Sequence, residues 1–205
     1  MKDNIKPVER IEDLEALYGV PRRTAVEKVA DSLTPTYLKW IESARFCVLS
    51  TVGPEGTDAT PRGDNGPVVQ TLDEKTLALP DWWGNNRIDS LRNIVRDPRA
   101  SLMFFVPGSN NVVRVNGKAV VTMDPHLTGK FEQKGKHPRS VVILTIDEVY
   151  FQCSRALLRS RLWSMGDQSA GLPTAGMIIA EMTAGEEGGP AYDTDWNERA
   201  TKTLW

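Results

Sequence analysis

Histidine and cysteine are scarce in this chain, with two residues of each in 205. His126 and His137 stand in polar, loop-like surroundings without Cys, Asp or Glu at ligand spacing, so neither a metal site nor a histidine base is expected. Cys47 and Cys153 lie far apart, each inside an apolar stretch. Two buried thiols in a reducing compartment are expected from them, not a disulfide framework. An excess of one charge is missing too: the formal net charge is −2, with both signs spread along the chain. No broad basic field is available for nucleic acid or an anionic membrane, so any cationic site has to be local. No apolar run is long enough to span a bilayer, and the N-terminal "MKDNIKPVERIEDLEALYGV" has charges throughout and no apolar core of a signal peptide. A cytoplasmic protein without membrane association is expected. Neither a nucleophile elbow nor a Ser-His-Asp pattern occurs, which leaves hydrolysis without support. Repeats and low-complexity tracts are absent as well. A chain of this length fits one domain with appended helices and can bury roughly 70% of its unfolded surface.

What is present is a change of pattern along the chain. Short helices are expected over Ile11 to Tyr18, closed by Gly19, over Thr24 to Val29, and around Tyr37, Leu38, Trp40 and Ile41 after Pro35. They read as a packing cap covering residues 1–44. From Arg45 the chain shifts to β-type runs: "FCVLSTV", "PVVQTL", "TLALP", "ASLMFFV", "NVVRVNGKAVVTM" and "SVVILTIDEVYFQC". Six or so strands at that spacing suggest a barrel or sandwich. The "DEK" turn after Leu72 fits a hairpin, and Asn116-Gly117 marks a second turn or a bulge. Asp124-Pro125 is a plausible start for a short helix ending near Gly135. After Cys153 helical segments return, in "SRALLRSRLW", over Pro173 to Met182 and over Tyr192 to Trp205. The divisions expected are a cap over 1–44, a barrel over 45–163 and a helical extension over 164–205.

One helix interrupts the strands near the middle, and "WWGNNRIDSLRNIVRDP" opens it. Ile88, Leu91 and Val95 form one apolar stripe, which places the helix start at Asn85 or Asn86, with Asp89 able to return a capping contact. Capping accounts for the Asn and the Asp. It leaves Arg87 unexplained, because a cation in the first helical turn opposes the macrodipole by about 0.3 to 1 kcal/mol. An anion between the free N–H groups and the guanidinium reverses that penalty, and phosphate is the obvious candidate. Upstream, "DATPRGDNG" sets Arg62 beside Gly63 and Asp64, where a ligand can approach the backbone closely. If the strands carrying them are neighbours, Arg62 and Arg87 can hold one phosphate from two sides. A solvated turn residue is the alternative for Arg62. Arg155, Arg159 and Arg161 form a further basic cluster, either a solvated or dimer-facing stripe or a site for an anionic substrate.

"ATPRGD", "LALPDWWGNNRIDSLRNIVRDPRASLMFFVPG", "VVRVNGKAVVTMDP" and "VYFQCSRALLRSRLW" together resemble the FMN-binding split-barrel proteins of the pyridoxamine 5'-phosphate oxidase-like family, in its subgroup of flavin-dependent enzymes without assigned substrates. The resemblance runs from about Arg45 to Trp163. It implies a mainly β fold with flanking helices, a six-stranded split β-barrel, forming a homodimer with FMN in clefts between the subunits. Carried over by motif, Arg62 and Arg87 contact the FMN phosphate, with Gly63 and Asp64 in the same turn and Asn86 assisting. Pro80 and Asp81 lie along the ribityl chain and the ring edge, Arg114 near the ring, and Arg161 and Trp163 reach the flavin of the other subunit. The implied activity is FMN-dependent hydride transfer to or from a small molecule. A non-catalytic flavin carrier or sensor, a deazaflavin-dependent reductase and an empty cleft are the alternatives. Where pyridoxamine phosphate oxidases carry an "RLHDR"-like run, this chain reads "SRALLRSRLWSMGDQS", so vitamin B6 oxidation is not expected.

Overall fold

The structure is a computed structural model that describes residues 5–205; residues 1–4 of the charged N-terminal stretch lie outside them. Seven strands make one antiparallel sheet in the order β2-β1-β5-β6-β7-β4-β3. They are β1 Phe46–Gly53, β2 Gly56–Gly63, β3 Gln70–Asp73, β4 Thr76–Asp81, β5 Arg99–Phe105, β6 Val112–Thr122 and β7 Ser140–Gln152. The helices are α1 Ile11–Tyr18, α2 Arg23–Glu27, α3 Pro35–Glu42, α4 Asp89–Arg96, α5 Pro125–Thr128, α6 Arg155–Ser160, α7 Ala175–Met182 and α8 Gly189–Lys202.

The sheet holds one strand more than the six expected, and the extra one is β2. Its neighbour β1 shows why the pattern hid it. Cys47, Leu49 and Thr51 point inward and pair with Phe104, Leu102 and Ala100 of β5, an apolar ladder with period two. On the other side the same three residues pair with Arg62, Thr60 and Asp58 of β2. Cross-strand partners share a face, so the inner face of β2 is polar, and its sequence shows no alternation of the usual sense. The two edge strands β2 and β3 do not pair with each other. Even so, Arg62 of β2 forms an ion pair with Asp81 of β4, although β1, β5, β6 and β7 separate those strands in the ladder. The sheet therefore curls until its two ends face one another. A flat arrangement could not bring those side chains together.

The β3–β4 hairpin forms where the short turn was read. Asn116-Gly117 is a bulge and not a turn: Asn116 pairs with Glu148 and Gly117 with Ile146, so Asp147 is the extra residue on β7. Pro80 lies on β4 beyond the last β3 pair, Gln70 with Ala78, where only β7 flanks the strand, a position that suits a residue without an N–H. In the first 44 residues, α1 and α2 bury none of their residues, Ile41 of α3 and Ala44 enter the core, and Ala30, Leu33, Tyr37 and Trp40 pack against it. The packing against the sheet thus comes from residues 30–44, where the backbone of Ala30 bridges Val149 of β7.

The two thiols part company. Cys47 is fully buried beside Phe104, whereas Cys153 is exposed, against expectation, because β7 has left the core by Phe151. Burial pushes the Cys47 thiol up to about 12, against a smaller opposing pull from the charge of Arg62. A disulfide-exchange reagent at pH 8 is expected to titrate one thiol of the native protein rapidly and both in denaturant. Rapid titration of both would contradict this packing. Because the unfolded thiol ionises near its ordinary 9.0 and the folded one near 12, this group's contribution to stability is complete below pH 9 and falls as pH rises from there.

Candidate functional site

Helix α4 fixes the geometry of the site. Its start is Asp89, with Ile88 at the N-cap and no side chain capping it. Neither Asn85 nor Asn86 caps the helix, a correction to the capping reading. Asn85 instead accepts the Arg87 N–H at 3.0 Å, a local turn of the kind Asn side chains favour, and Asn86 takes a left-handed backbone with φ of 60°. Of the expected apolar stripe only Leu91 packs against the core. Ile88 and Val95 are exposed, and the buried residues of α4 are Ser90, Asn93 and Ile94. Ser90 donates to Asp58 of β2, and Asn93 donates to Thr51 of β1 at 3.2 Å. These polar contacts seat α4 on the β1–β2 hairpin and so hold the 84–88 loop beside Arg62.

Arg62, Gly63, Pro80, Asp81, Asn86 and Arg87 all line a cavity of about 730 Å³ between β2, the end of β4 and that loop. This volume lies in the range of small-molecule and cofactor sites. The two-sided grip expected of Arg62 and Arg87 does not come from neighbouring strands: Arg87 lies on the loop after β4, β4 is not adjacent to β2 in the ladder, and curling of the sheet brings the two sides together instead. Arg62 is four-fifths buried and donates through Nη1 to Asp81. Its Nε is buried without any acceptor. A buried N–H left unpaired costs about 1 to 3 kcal/mol, and a small shift of the side chain toward the cavity that Arg62 lines would let an acceptor relieve it. Arg87 is largely exposed and paired with Asp89, whose hydrogen bond and then charge hold the guanidinium above its ordinary value. It lies outside the helix, so no macrodipole penalty attaches to it.

The other motif residues are elsewhere. Asp64 accepts from Trp82 Nε1 at 2.7 Å and from Gln133 Nε2 at 3.0 Å, and so braces the loop that leads to Arg87 without lining the cavity. Arg114, on β6, lies 5.3 Å from the Tyr150 ring centroid. Arg161 ends α6 in a left-handed conformation, and Trp163 donates its indole N–H to Ser109 O at 2.7 Å. These three do not line the cavity of their own chain.

Three contributors escaped the sequence. Arg139, directly before β7, lines the cavity. So do Trp196 of α8 and Leu204 behind it, and Trp205 sets its ring edge-on to Trp82 at 5.3 Å. Lys136 Nζ anchors that tail on Trp205 O at 2.8 Å. Nothing local in "KHPRS" or in the last helix signals a site; the curl of the sheet and the return of the tail create it. Among the described residues no group of three His, Cys, Asp or Glu side chains could hold a metal, and no helix is long and apolar enough to cross a membrane.

A family model described as pyridoxamine 5'-phosphate oxidase matches residues 33–153. No curated protein matches the chain. Among solved structures it is similar to HupZ of group A Streptococcus, with 17% identity over 57% of this chain and 91% of that one at a TM-score of 0.46. A candidate pyridoxamine 5'-phosphate oxidase of Lactobacillus delbrueckii is 25% identical over 59% of this chain and 95% of its own, at a TM-score of 0.47. An F420 reductase is 18% identical over 58% of this chain and 98% of its own, at 0.41.

Proposed function

The chain belongs to the pyridoxamine 5'-phosphate oxidase family, and from that premise we propose that it is an FMN-binding flavoprotein, an FMN-dependent oxidoreductase acting on a small molecule. The observation that supports this reading most is Arg62: a four-fifths buried guanidinium on the cavity wall, half satisfied by Asp81 and with its Nε unpaired. That donor set suits a phosphate oxygen. Arg87 closes the opposite side, and an incoming phosphate competes with Asp89 for it. Gly63 offers backbone without a side chain, and Pro80 and Asp81 line the path a polyol chain takes away from the phosphate. When bound, FMN supplies the group that accepts and returns a hydride. The protein's part is to orient it, to keep water from one side through the Trp82–Trp205 contact, and to leave an apolar wall of Trp83, Trp196 and Leu204 for the substrate.

Arg114, Arg161 and Trp163 lie away from this cavity, which fits a homodimer in which they serve the flavin held by the partner. Phe46, Phe151, Val120 and Leu158 are large exposed apolar side chains on the barrel and on α6, as a self-complementary surface requires. A dimeric mass by light scattering at micromolar concentration is the expected result; a monomer contradicts the shared cleft. Equilibrium binding tests the cofactor. FMN is expected to bind at least about tenfold more tightly than riboflavin, since each charge-assisted hydrogen bond to the phosphate contributes about 1.5 to 3 kcal/mol. Equal affinity would remove the phosphate from the cavity. Turnover separates enzyme from carrier: stopped-flow mixing of the loaded protein with NADH or NADPH is expected to bleach the flavin, and failure with both favours a carrier.

A further inference from the structure

Three arginines line the cavity, and their charges are not equally available. Arg62 is committed to Asp81 and Arg87 to Asp89. Arg139 has no carboxylate within ion-pair distance among the described residues. What holds it is neutral: its guanidinium lies 4.1 Å from the centroid of the Trp83 ring, and its Nη1 donates to Asn86 Oδ1 at 2.9 Å. Both partners come from the 84–88 loop or its flank, and Asn86 presents its amide from a left-handed backbone, which Asn tolerates better than most side chains. The next residue, Ser140, opens β7 and pairs with Asp81, so Arg139 is set just beyond the ion pair that anchors Arg62. A guanidinium carries five N–H donors, and here one is used. Its place over the Trp83 face, with the hydrogen bond to Asn86, restrains the side chain while leaving four donors without a protein acceptor among the described residues, so less rotamer entropy remains to be lost when an anion arrives.

We propose that Arg139 is a third anion-binding group of the cavity, held ready for an oxyanion by Trp83 and Asn86. The oxyanion is either the phosphate of the cofactor or an anionic group on the substrate; the first source rests on the proposed FMN reading and the second does not. Where Arg62 and Arg87 each share their charge with a carboxylate, Arg139 shares its charge with none among the described residues. An anion entering the cavity can therefore engage Arg139 without competing with a carboxylate for it. No sequence motif marks it, and it acts through its side chain alone.

Intrinsic tryptophan fluorescence of the apo protein reads both arms, since Trp83 and Trp196 line the cavity. Four probes are titrated into wild type, Arg139→Gln and Arg139→Lys: FMN against riboflavin, and benzoate against benzamide. Arg139→Gln is expected to lower one of the two anion-over-neutral preferences by about tenfold. Arg139→Lys, which keeps the charge and loses the planar fork, is expected to fall between. Loss confined to the FMN pair assigns the group to the phosphate, and loss confined to the benzoate pair assigns it to the substrate. Should wild type show no preference for FMN over riboflavin while Arg139→Gln still abolishes the preference for benzoate, the cofactor reading fails and the anion site stands. Both preferences unchanged within about twofold in Arg139→Gln, or no anion preference in wild type with either pair, would overturn the proposal. Circular dichroism confirms folding, and the lysine variant keeps the test decisive if the glutamine variant does not fold.

Discussion

Replacing Arg62 and Arg87 together by alanine is expected to raise the Kd for FMN about 100-fold and to leave riboflavin binding within about threefold. Two charge-assisted hydrogen bonds of about 1.5 kcal/mol each give that factor at the lower end of their range. The two side chains approach one ligand from β2 and from the 84–88 loop, so their effects need not add, and the single variants set the coupling. Arg62→Ala also strands Asp81, whose side chain is only 20% exposed, so some stability goes with the affinity. Arg62→Lys restores the charge and relieves Asp81 but cannot present the fork, and it is expected to recover folding with only part of the FMN affinity. Thermal melts beside the titrations separate the two effects. A double variant with wild-type FMN affinity would place the phosphate elsewhere.

Gly117→Ala is expected to cost about 3 kcal/mol of folding stability, the upper end of ordinary overpacking. A Cβ at Gly117 would lie 2.0 Å from Thr145 O, 3.0 Å from Thr145 C and 3.2 Å from Asp147 N. All three are backbone atoms of β7, and β6 is paired on both sides, with Ala100 of β5 and Ile146 of β7. Neither strand can yield without breaking ladder bonds. The bulge also turns β7 on its way from the cavity end, where Ser140 pairs with Asp81, toward Val149 and the N-terminal bridge to Ala30. Gly66→Ala is the control, because nothing lies within 4 Å of a Cβ there and the backbone is not left-handed; its expected effect is within about 0.5 kcal/mol. Urea denaturation of both variants measures the contrast. A Gly117→Ala protein as stable as wild type would mean that the bulge relaxes freely.

Six of the seven strands were legible from β-type runs rich in Val, Ile, Leu and Phe, alternating in β1 and β5, continuous in β4, and for β3 from Val68 and Val69 just ahead of it. β2 was not, since its inner face is Asp58, Thr60 and Arg62 turned toward the cavity; local alternation fails where a sheet lines a polar site. For the same reason the start and the face of α4 were misread. Ile88 and Val95 look like core residues in sequence, yet α4 is seated by Leu91 and Ile94 together with hydrogen bonds from Ser90 to Asp58 and from Asn93 to Thr51, and no hydrophobic period announces those bonds. Gly53 has no Cβ because Asn93 Oδ1 would lie 2.2 Å from it, a fit that only the folded hairpin reveals. Motif resemblance put forward Arg62, Gly63, Pro80, Asp81, Asn86 and Arg87, and the structure places all six around one cavity. Arg139, Trp196 and Leu204 were not, because their nearness depends on the curl of the sheet and on the tail folding back over Trp82.

The visible absorption spectrum of freshly purified protein, followed by mass spectrometry of whatever heat denaturation releases, tests the central claim most directly. A flavin spectrum with FMN as the released species is the expected result. A colourless protein that also fails to take up added FMN would contradict it and leave the family's fold here without its flavin.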